Sequence, residues 1–147
     1  YEMSACLVGS EMCIRDRGMY AVCSEVVGGN RIGRTLDFPT INQQFGEKQL
    51  VPKRGVYSTV TLIDNKTYNS ITNIGVKPTV EKDIKPLAET HILDFSGNLY
   101  GKEIEVRFNK FIRDEKKFSS LDELKIQIKK DIEYVRKQSE MSELHRL

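Results

Sequence analysis

"GVYSTVTLIDNKTYNSITNIG", residues 55–75, decides the fold. Residues 55–64 are rich in valine, threonine and isoleucine, whose branched Cβ atoms suit a pleated strand better than a helix. Asn65-Lys66 interrupts the run, and 67–75 resumes it, so the stretch predicts a β-hairpin.

The pattern continues on both sides. "MYAVCSEVV" (19–27) is β-rich, and "GGNRIGR" (28–34) is a glycine-punctuated loop. "VKPTVEKDIKP" (76–86), with two prolines and many charges, predicts a loop. In "AETHILDF" (88–95) alternation places Glu89, His91, Leu93 and Phe95 on one face and Thr90, Ile92 and Asp94 on the other. Ser96–Asn98 and Gly101 supply turns. "EIEVRFNKFI" (103–112) alternates again, with Ile104, Val106 and Phe108 on one side and Lys110 next in that series.

The C-terminal segment changes period. Leu121, Leu124, Ile128, Ile132 and Val135 recur at helical spacing. Ser120 and Glu123 form a capping-box signature, with acidic residues in the first turn and Arg136 and Lys137 near the end. One amphipathic helix is expected over roughly 120–138. Five or six antiparallel strands and one terminal helix predict a mainly β, small closed barrel, because closure removes exposed strand edges. A β-sandwich is the alternative.

The 147 residues suffice for one domain. No apolar run approaches a membrane span, so no membrane partner is expected. A net charge of +2 is weak support for a polyanionic partner, and no nucleic acid is expected. Cys6, Cys13 and Cys23 lack metal-type spacing; so sparse and odd a set fits a reducing compartment, the cytoplasm. His91 and His145 make no metal cluster in sequence.

Residues 1–17, "YEMSACLVGSEMCIRDR", read differently from the rest. They lack a clean period and the layout of a signal peptide. They resemble translated adapter read-through and are set apart as a non-native, disordered leader, with 18–147 as the domain; a natural, poorly ordered N-terminal arm is the alternative. That domain carries 21 basic and 18 acidic side chains, since the leader holds two of the 23 and three of the 21.

The chemistry centres on "GRTLDFPTINQ" (33–43). Pro39 restricts its own φ and biases Phe38 toward an extended conformation. In an extended chain Thr40 and Asn42 point the same way, offering a hydroxyl and an amide oxygen to one hard cation such as Mg²⁺, which usually arrives with phosphate. The same residues also suit a proline turn whose polar side chains cap local backbone groups. Gly28–Arg34 permits close approach of backbone amides to phosphate, although a plain hairpin loop is the default. Glu89, beside His91, Leu93 and Phe95, is a candidate base toward an alcohol, or else a solvated strand-end carboxylate. Phe111, Arg113 and Phe118 surround a charged loop before the helix. They suit clamping of a planar ligand, or simple anchoring of that helix.

The ordered series G-x-x-x-G-R, F-P-T-x-N, P-x-x-G-V-Y, N-I-G-x-x-P-T, E-T-H-I-L-D-F, L-Y-G and R-x-E-x-x-F before a helix with x-Q-I-x-x-D, from about Tyr20 to Lys137, resembles riboflavin kinase. The likeness is to the kinase module of bacterial bifunctional riboflavin kinase/FAD synthetases. It implies a six-stranded antiparallel closed barrel, the riboflavin kinase-like split barrel, with a C-terminal α-helix. It implies transfer of the ATP γ-phosphate to the riboflavin 5′-hydroxyl, giving FMN and ADP, with Mg²⁺ as cofactor. It also implies an upstream FMN adenylyltransferase module in the native chain. By resemblance Glu89 is the catalytic base, and Thr40 and Asn42 hold metal and phosphate. Gly29, Gly33 and Arg34 form the nucleotide-phosphate flap, and His91, Leu93 and Tyr100 contact the adenine nucleotide. Arg113, Lys116 and Phe118 close over the flavin. Asp37 and Ser24 stand where the family usually has glycine. With Asp37 or a damaged N-terminus disabling the site, a catalytically impaired flavin- or nucleotide-binding barrel is a competing expectation, and the basic balance and aromatics also permit an OB-like nucleic-acid binder.

Overall fold

A computed structural model describes residues 14–15, 19–28, 38–78 and 84–146. Gly29, Gly33 and Arg34 of the expected phosphate flap, and Asp37, lie outside the described residues. Seven strands and one helix occur among the described residues: β1 (Ile14–Arg15), β2 (Met19–Val27), β3 (Thr40–Gln44), β4 (Gly55–Ile63), β5 (Lys66–Pro78), β6 (Ile84–Ile92), β7 (Glu103–Arg113) and α1 (Leu121–Arg146). The order β2-β3-β6-β5-β4-β7, with β7 pairing back onto β2, closes a six-stranded antiparallel barrel. The short β1, within the stretch set apart in sequence, pairs with the start of β2.

The β4–β5 hairpin turns at Asp64-Asn65, one residue before the expected break, because both adopt positive φ (49° and 66°). Ile63 and Lys66 are therefore directly paired. Two consecutive left-handed residues make a type I′ turn, whose twist matches that of the flanking strands.

The expected loop 76–86 is largely strand instead. β5 extends to Pro78 and β6 begins at Ile84, with Val76 opposite Pro86. The pairing of β6 with β3 ends at Leu87. Pro86 thus lies where β6 has a neighbour on one side only, and its missing N–H is harmless there.

The lumen receives Val22, Val26, Ile74, Ile92, Leu99, Ile104, Val106 and Phe108, as the alternation of residues 103–112 predicts. It is also partly polar. Thr72 Oγ1 lies 3.0 Å from Thr59 and 2.8 Å from Thr90. Ser70 Oγ lies 2.7 Å from Thr59 and 2.8 Å from Thr61. These buried hydroxyls satisfy one another. Fully buried Gln43 closes the thin β2–β3 seam: its amide donates to the Ser24 and Ile104 carbonyls at 3.0 and 2.7 Å.

Lys110 leaves the side expected for it. Phe108 pairs with Thr59 but Lys110 with Ser58, so a bulge at Asn109 shifts the register. The Lys110 ammonium instead lies 5.8 Å from the Tyr134 ring of α1.

α1 packs Val135, Ile132 and Tyr134 onto Val56, Ile71, Leu93 and Ile112 on the outside of the barrel. Its N-terminus is capped: Ser120 Oγ accepts from the Glu123 amide (3.2 Å), and the Glu123 carboxylate accepts from the Ser119 amide (3.1 Å) and hydroxyl (2.7 Å). The Ser119 hydrogen bonds hold the Glu123 carboxyl below its ordinary value. The helix overruns its expected end at 138, as no glycine or proline follows to stop it. Leu121, assigned to the buried stripe by spacing, is exposed because it occupies the first turn, beyond the sheet. No helix among the described residues is long and apolar enough to cross a membrane.

Candidate active site

The candidate residues meet on the outer face of β3, β6 and β5. Antiparallel partners share a face, and Asn42 pairs with Glu89, which pairs on its other side with Asn73. One step along, Thr40 pairs with His91, which pairs with Ile71. Directly opposed side chains have Cβ atoms about 4.5–5.5 Å apart. The register therefore brings Thr40, Asn42 and Glu89 into one cluster.

The turn before β3 is fastened from β6. His91 Nδ1 donates to the Pro39 carbonyl at 2.9 Å, and the Phe38 ring meets the imidazole edge-on at 5.5 Å. The hydrogen bond identifies Nδ1 as the protonated nitrogen, since a carbonyl only accepts. His91 thus holds the Phe-Pro turn and does not line the adjacent cavity.

That cavity, about 600 Å³, opens at the rim beside β3. Thr40, Asn42 and Thr90 form one wall, and Asn98, Leu99 and Tyr100 another. The second wall is pinned to β2: Gly101 N donates to Val26 O at 3.0 Å and Val26 N to Lys102 O at 2.9 Å. Gly101 has φ 81°, which suits glycine in this turn. Tyr100 stands on the cavity wall and is exposed. Leu93, expected beside it, packs under α1 instead. Asp94, with φ 58°, ends β6 and turns the chain, so Phe95 leaves the Glu89 face and joins the lumenal cluster.

Asn42 sits where the cavity meets the Glu89 face. It is 7% exposed, and its side-chain oxygen is buried without a hydrogen-bond partner. A buried acceptor left unsatisfied costs about 1–3 kcal/mol. An oxygen in that state beside a second oxygen donor, Thr40 Oγ1, fits a hard cation. Among the described residues no group of three or more His, Cys, Asp or Glu side chains offers an alternative metal cluster.

The segment 114–118 between β7 and α1 borders the other side. Arg113 does not reach out as a free clamp. Its Nε and Nη2 donate to the two Asp131 oxygens at 3.1 and 2.9 Å, and Nη1 donates to the Asp114 carbonyl at 3.1 Å. Gln127 adds a bond to Asp131 at 3.1 Å. Lys53 pairs with Asp114 (3.1 Å) and Arg54 with Glu115 (3.5 Å). Glu115 in turn accepts from Asn73 Nδ2 at 3.3 Å, which ties the segment to the strand beside Glu89. Lys116 is exposed and Phe118 half-buried. Sequence reasoning gave no role to Asn73, Glu115 or Asp131, although the motifs N-I-G, R-x-E-x-x-F and x-Q-I-x-x-D contain them.

Known proteins resemble this chain over most of its length. The family described as Flavokinase, riboflavin kinase, matches residues 17–139. A bifunctional riboflavin kinase/FMN adenylyltransferase of Haemophilus influenzae is 43% identical over 115 residues, covering 78% of this chain and 37% of the relative. The Escherichia coli K12 protein of the same name is 42% identical over 113 residues, or 76% and 36%. The chain therefore spans a little over a third of these relatives. A Bacillus subtilis protein named RNA-binding riboflavin kinase RibR is 37% identical over 123 residues, covering 84% of this chain and 53% of its own length. A Streptococcus pneumoniae crystal structure described as a macrolide-efflux protein superposes with TM-score 0.74 at 32% identity, covering 81% of this chain and 39% of that one. With a family match across most of its length and a closed barrel bringing the F-P-T-x-N and E-T-H segments together, the chain belongs to the riboflavin kinase family.

Proposed function

We propose that this chain transfers the γ-phosphate of ATP to the 5′-hydroxyl of riboflavin, giving FMN and ADP. The observation that carries the reading is the direct pairing of Asn42 with Glu89, where one residue borders the cavity and the other does not. The cavity takes the nucleotide, with Tyr100 against the base. The Glu89 side takes the alcohol. Glu89 accepts the 5′-hydroxyl proton as that oxygen attacks the γ-phosphorus and the bond to the ADP oxygen breaks. Thr40 Oγ1 and Asn42 Oδ1 would hold Mg²⁺, which supplies neutralisation of phosphate charge when bound. Such transfer depends mainly on positioning, and strand pairing supplies it for Thr40, Asn42 and Glu89. His91 sets the turn that delivers Thr40. By the family resemblance Gly29, Gly33 and Arg34 would supply the contacts to the phosphates. Lys116 and Phe118 face the flavin, and Arg113 fixes the segment that bears them. Relatives named as bifunctional support an FMN adenylyltransferase module in the native protein, working in the cytoplasm, where ATP and reduced thiols coexist.

The test is incubation with riboflavin, ATP and Mg²⁺, with FMN resolved by chromatography. Glu89→Gln should lower turnover by about 10²–10⁴-fold, the usual worth of a general base, while riboflavin still binds. Absence of FMN from the wild-type chain overturns the kinase reading, and full turnover by Glu89→Gln overturns the assignment of the base.

A further inference from the structure

We propose that Asn73 is a substrate-positioning residue, whose side-chain oxygen accepts a hydrogen bond from a secondary hydroxyl of the polyol chain that carries the phosphorylated terminus. The inference rests on the kinase reading and adds to it the recognition of the acceptor. Asn73 is the direct partner of Glu89 on β5, on the same outer face, on the side opposite Asn42. Its amide orientation is determined. A carboxylate only accepts, so the nitrogen must be the atom bonded to Glu115 Oε1 at 3.3 Å. The oxygen is then left buried, and it has no partner.

The surroundings maintain that orientation. Arg54 holds the other Glu115 oxygen at 3.5 Å. Glu115 Oε1 passes over Gly75, where an added Cβ would come within 2.5 Å of it. The glycine of N-I-G thus leaves room for the carboxylate that orients the asparagine of the same motif.

The chemistry selects the ligand group. A lone acceptor attracts an O–H donor and repels anionic phosphate oxygens. Asn73 does not line the cavity assigned to the nucleotide, whereas Asn42 does. Neighbouring strands are about 4.8 Å apart, so a chain whose terminal hydroxyl meets Glu89 passes an adjacent hydroxyl within reach of the next strand. The orphaned oxygens on either side of Glu89 then serve different groups: Asn42 the metal and phosphate, Asn73 the alcohol.

The experiment pairs two enzymes with four acceptors: wild type and Asn73→Ala, each with riboflavin and its 2′-, 3′- and 4′-deoxy analogues. Asn73→Ala should lower kcat/KM for riboflavin about tenfold, the worth of one such hydrogen bond, with the KM for ATP unchanged. One deoxy analogue should cost the wild type a similar factor and cost Asn73→Ala nothing further. That non-additivity is something a merely structural residue would not produce. Additive losses with all three analogues overturn the inference while leaving the kinase reading intact. No FMN from the wild type overturns both. Should Asn73→Ala fail to fold, Glu115→Ala carries the same comparison: it frees the amide to rotate and should blunt the same hydroxyl discrimination, and undiminished discrimination overturns the orienting role.

Discussion

Asp131→Ala tests how segment 114–118, beside the proposed flavin site, is held. The Arg113 and Asp131 side chains are 16% and 5% exposed, and their contact is bidentate. Removing one member of a buried pair strands the other charge, at a cost of about 3–5 kcal/mol. Arg113 keeps its bond to the Asp114 carbonyl and some access to water, so the lower end applies, about 3 kcal/mol. A domain of this size loses about 2–4 °C in Tm per kcal/mol, so the melting midpoint should fall by about 6–12 °C. Thermal unfolding followed by circular dichroism measures it. Riboflavin KM should rise at a temperature where the variant is still folded, because the base of segment 114–118 is released, while ATP KM stays put. Arg113→Met with Asp131→Leu should recover most of the stability, since an apolar pair of similar volume replaces a desolvated ionic one. A drop below about 3 °C for Asp131→Ala would refute the buried-anchor argument. A large drop with unchanged riboflavin KM would refute the link to the flavin.

Asn42→Ala should raise the Mg²⁺ and ATP requirement by about tenfold or more, the worth of one lost oxygen ligand, and leave riboflavin affinity nearly unchanged; equilibrium binding of each ligand alone separates the two. Ser24→Ala should stabilise the barrel by about 1 kcal/mol in urea unfolding, because the Ser24 hydroxyl is buried without a partner; a loss of stability would show that hydroxyl to be satisfied in solution. The Asp94 carboxyl, hydrogen-bonded by Arg136 at 3.0 Å through both oxygens, titrates below its ordinary value. Its folded pKa is depressed, so its small stabilising effect is present above the unfolded value and disappears as pH falls through the folded one. Arg136→Gln should return the Asp94 titration, followed by NMR, to the ordinary range, and salt should weaken the wild-type shift.

The barrel was legible because local patterns agreed with the global fold. Branched residues alternate in β4 and β7, turn residues separate the runs, and one segment changes to helical period. What the sequence hid depends on register. The bulge at Asn109 that turns Lys110 toward α1 leaves no mark in composition. The strand through 76–78 and 84–87 was masked by prolines that happen to sit at a ladder end. The site divides the same way. Thr40, Asn42 and Glu89 are singled out by motif and spacing, whereas their placement on one face comes from the β3–β6 pairing. His91 and Leu93 looked alike as nucleotide contacts, yet one fastens the Phe-Pro turn and the other lies under the helix. Asn73 and Asp131 stood in quoted motifs but received no role, because an asparagine in a strand or a mid-helix aspartate is ordinary until its partner is known.

Because Thr40, Asn42 and Glu89 ride on adjacent rungs of backbone hydrogen bonds, the proposed chemistry and folding share one fate. A one-residue slip of β3 against β6 would turn Thr40 and Asn42 toward the lumen and expel Ile41 and Gln43. No half-registered barrel can retain weak activity by keeping its loops. Loss of FMN production on heating should therefore track amide exchange in the β3–β6 ladder rather than precede it, making catalytic output a direct gauge of how many molecules have closed their sheet.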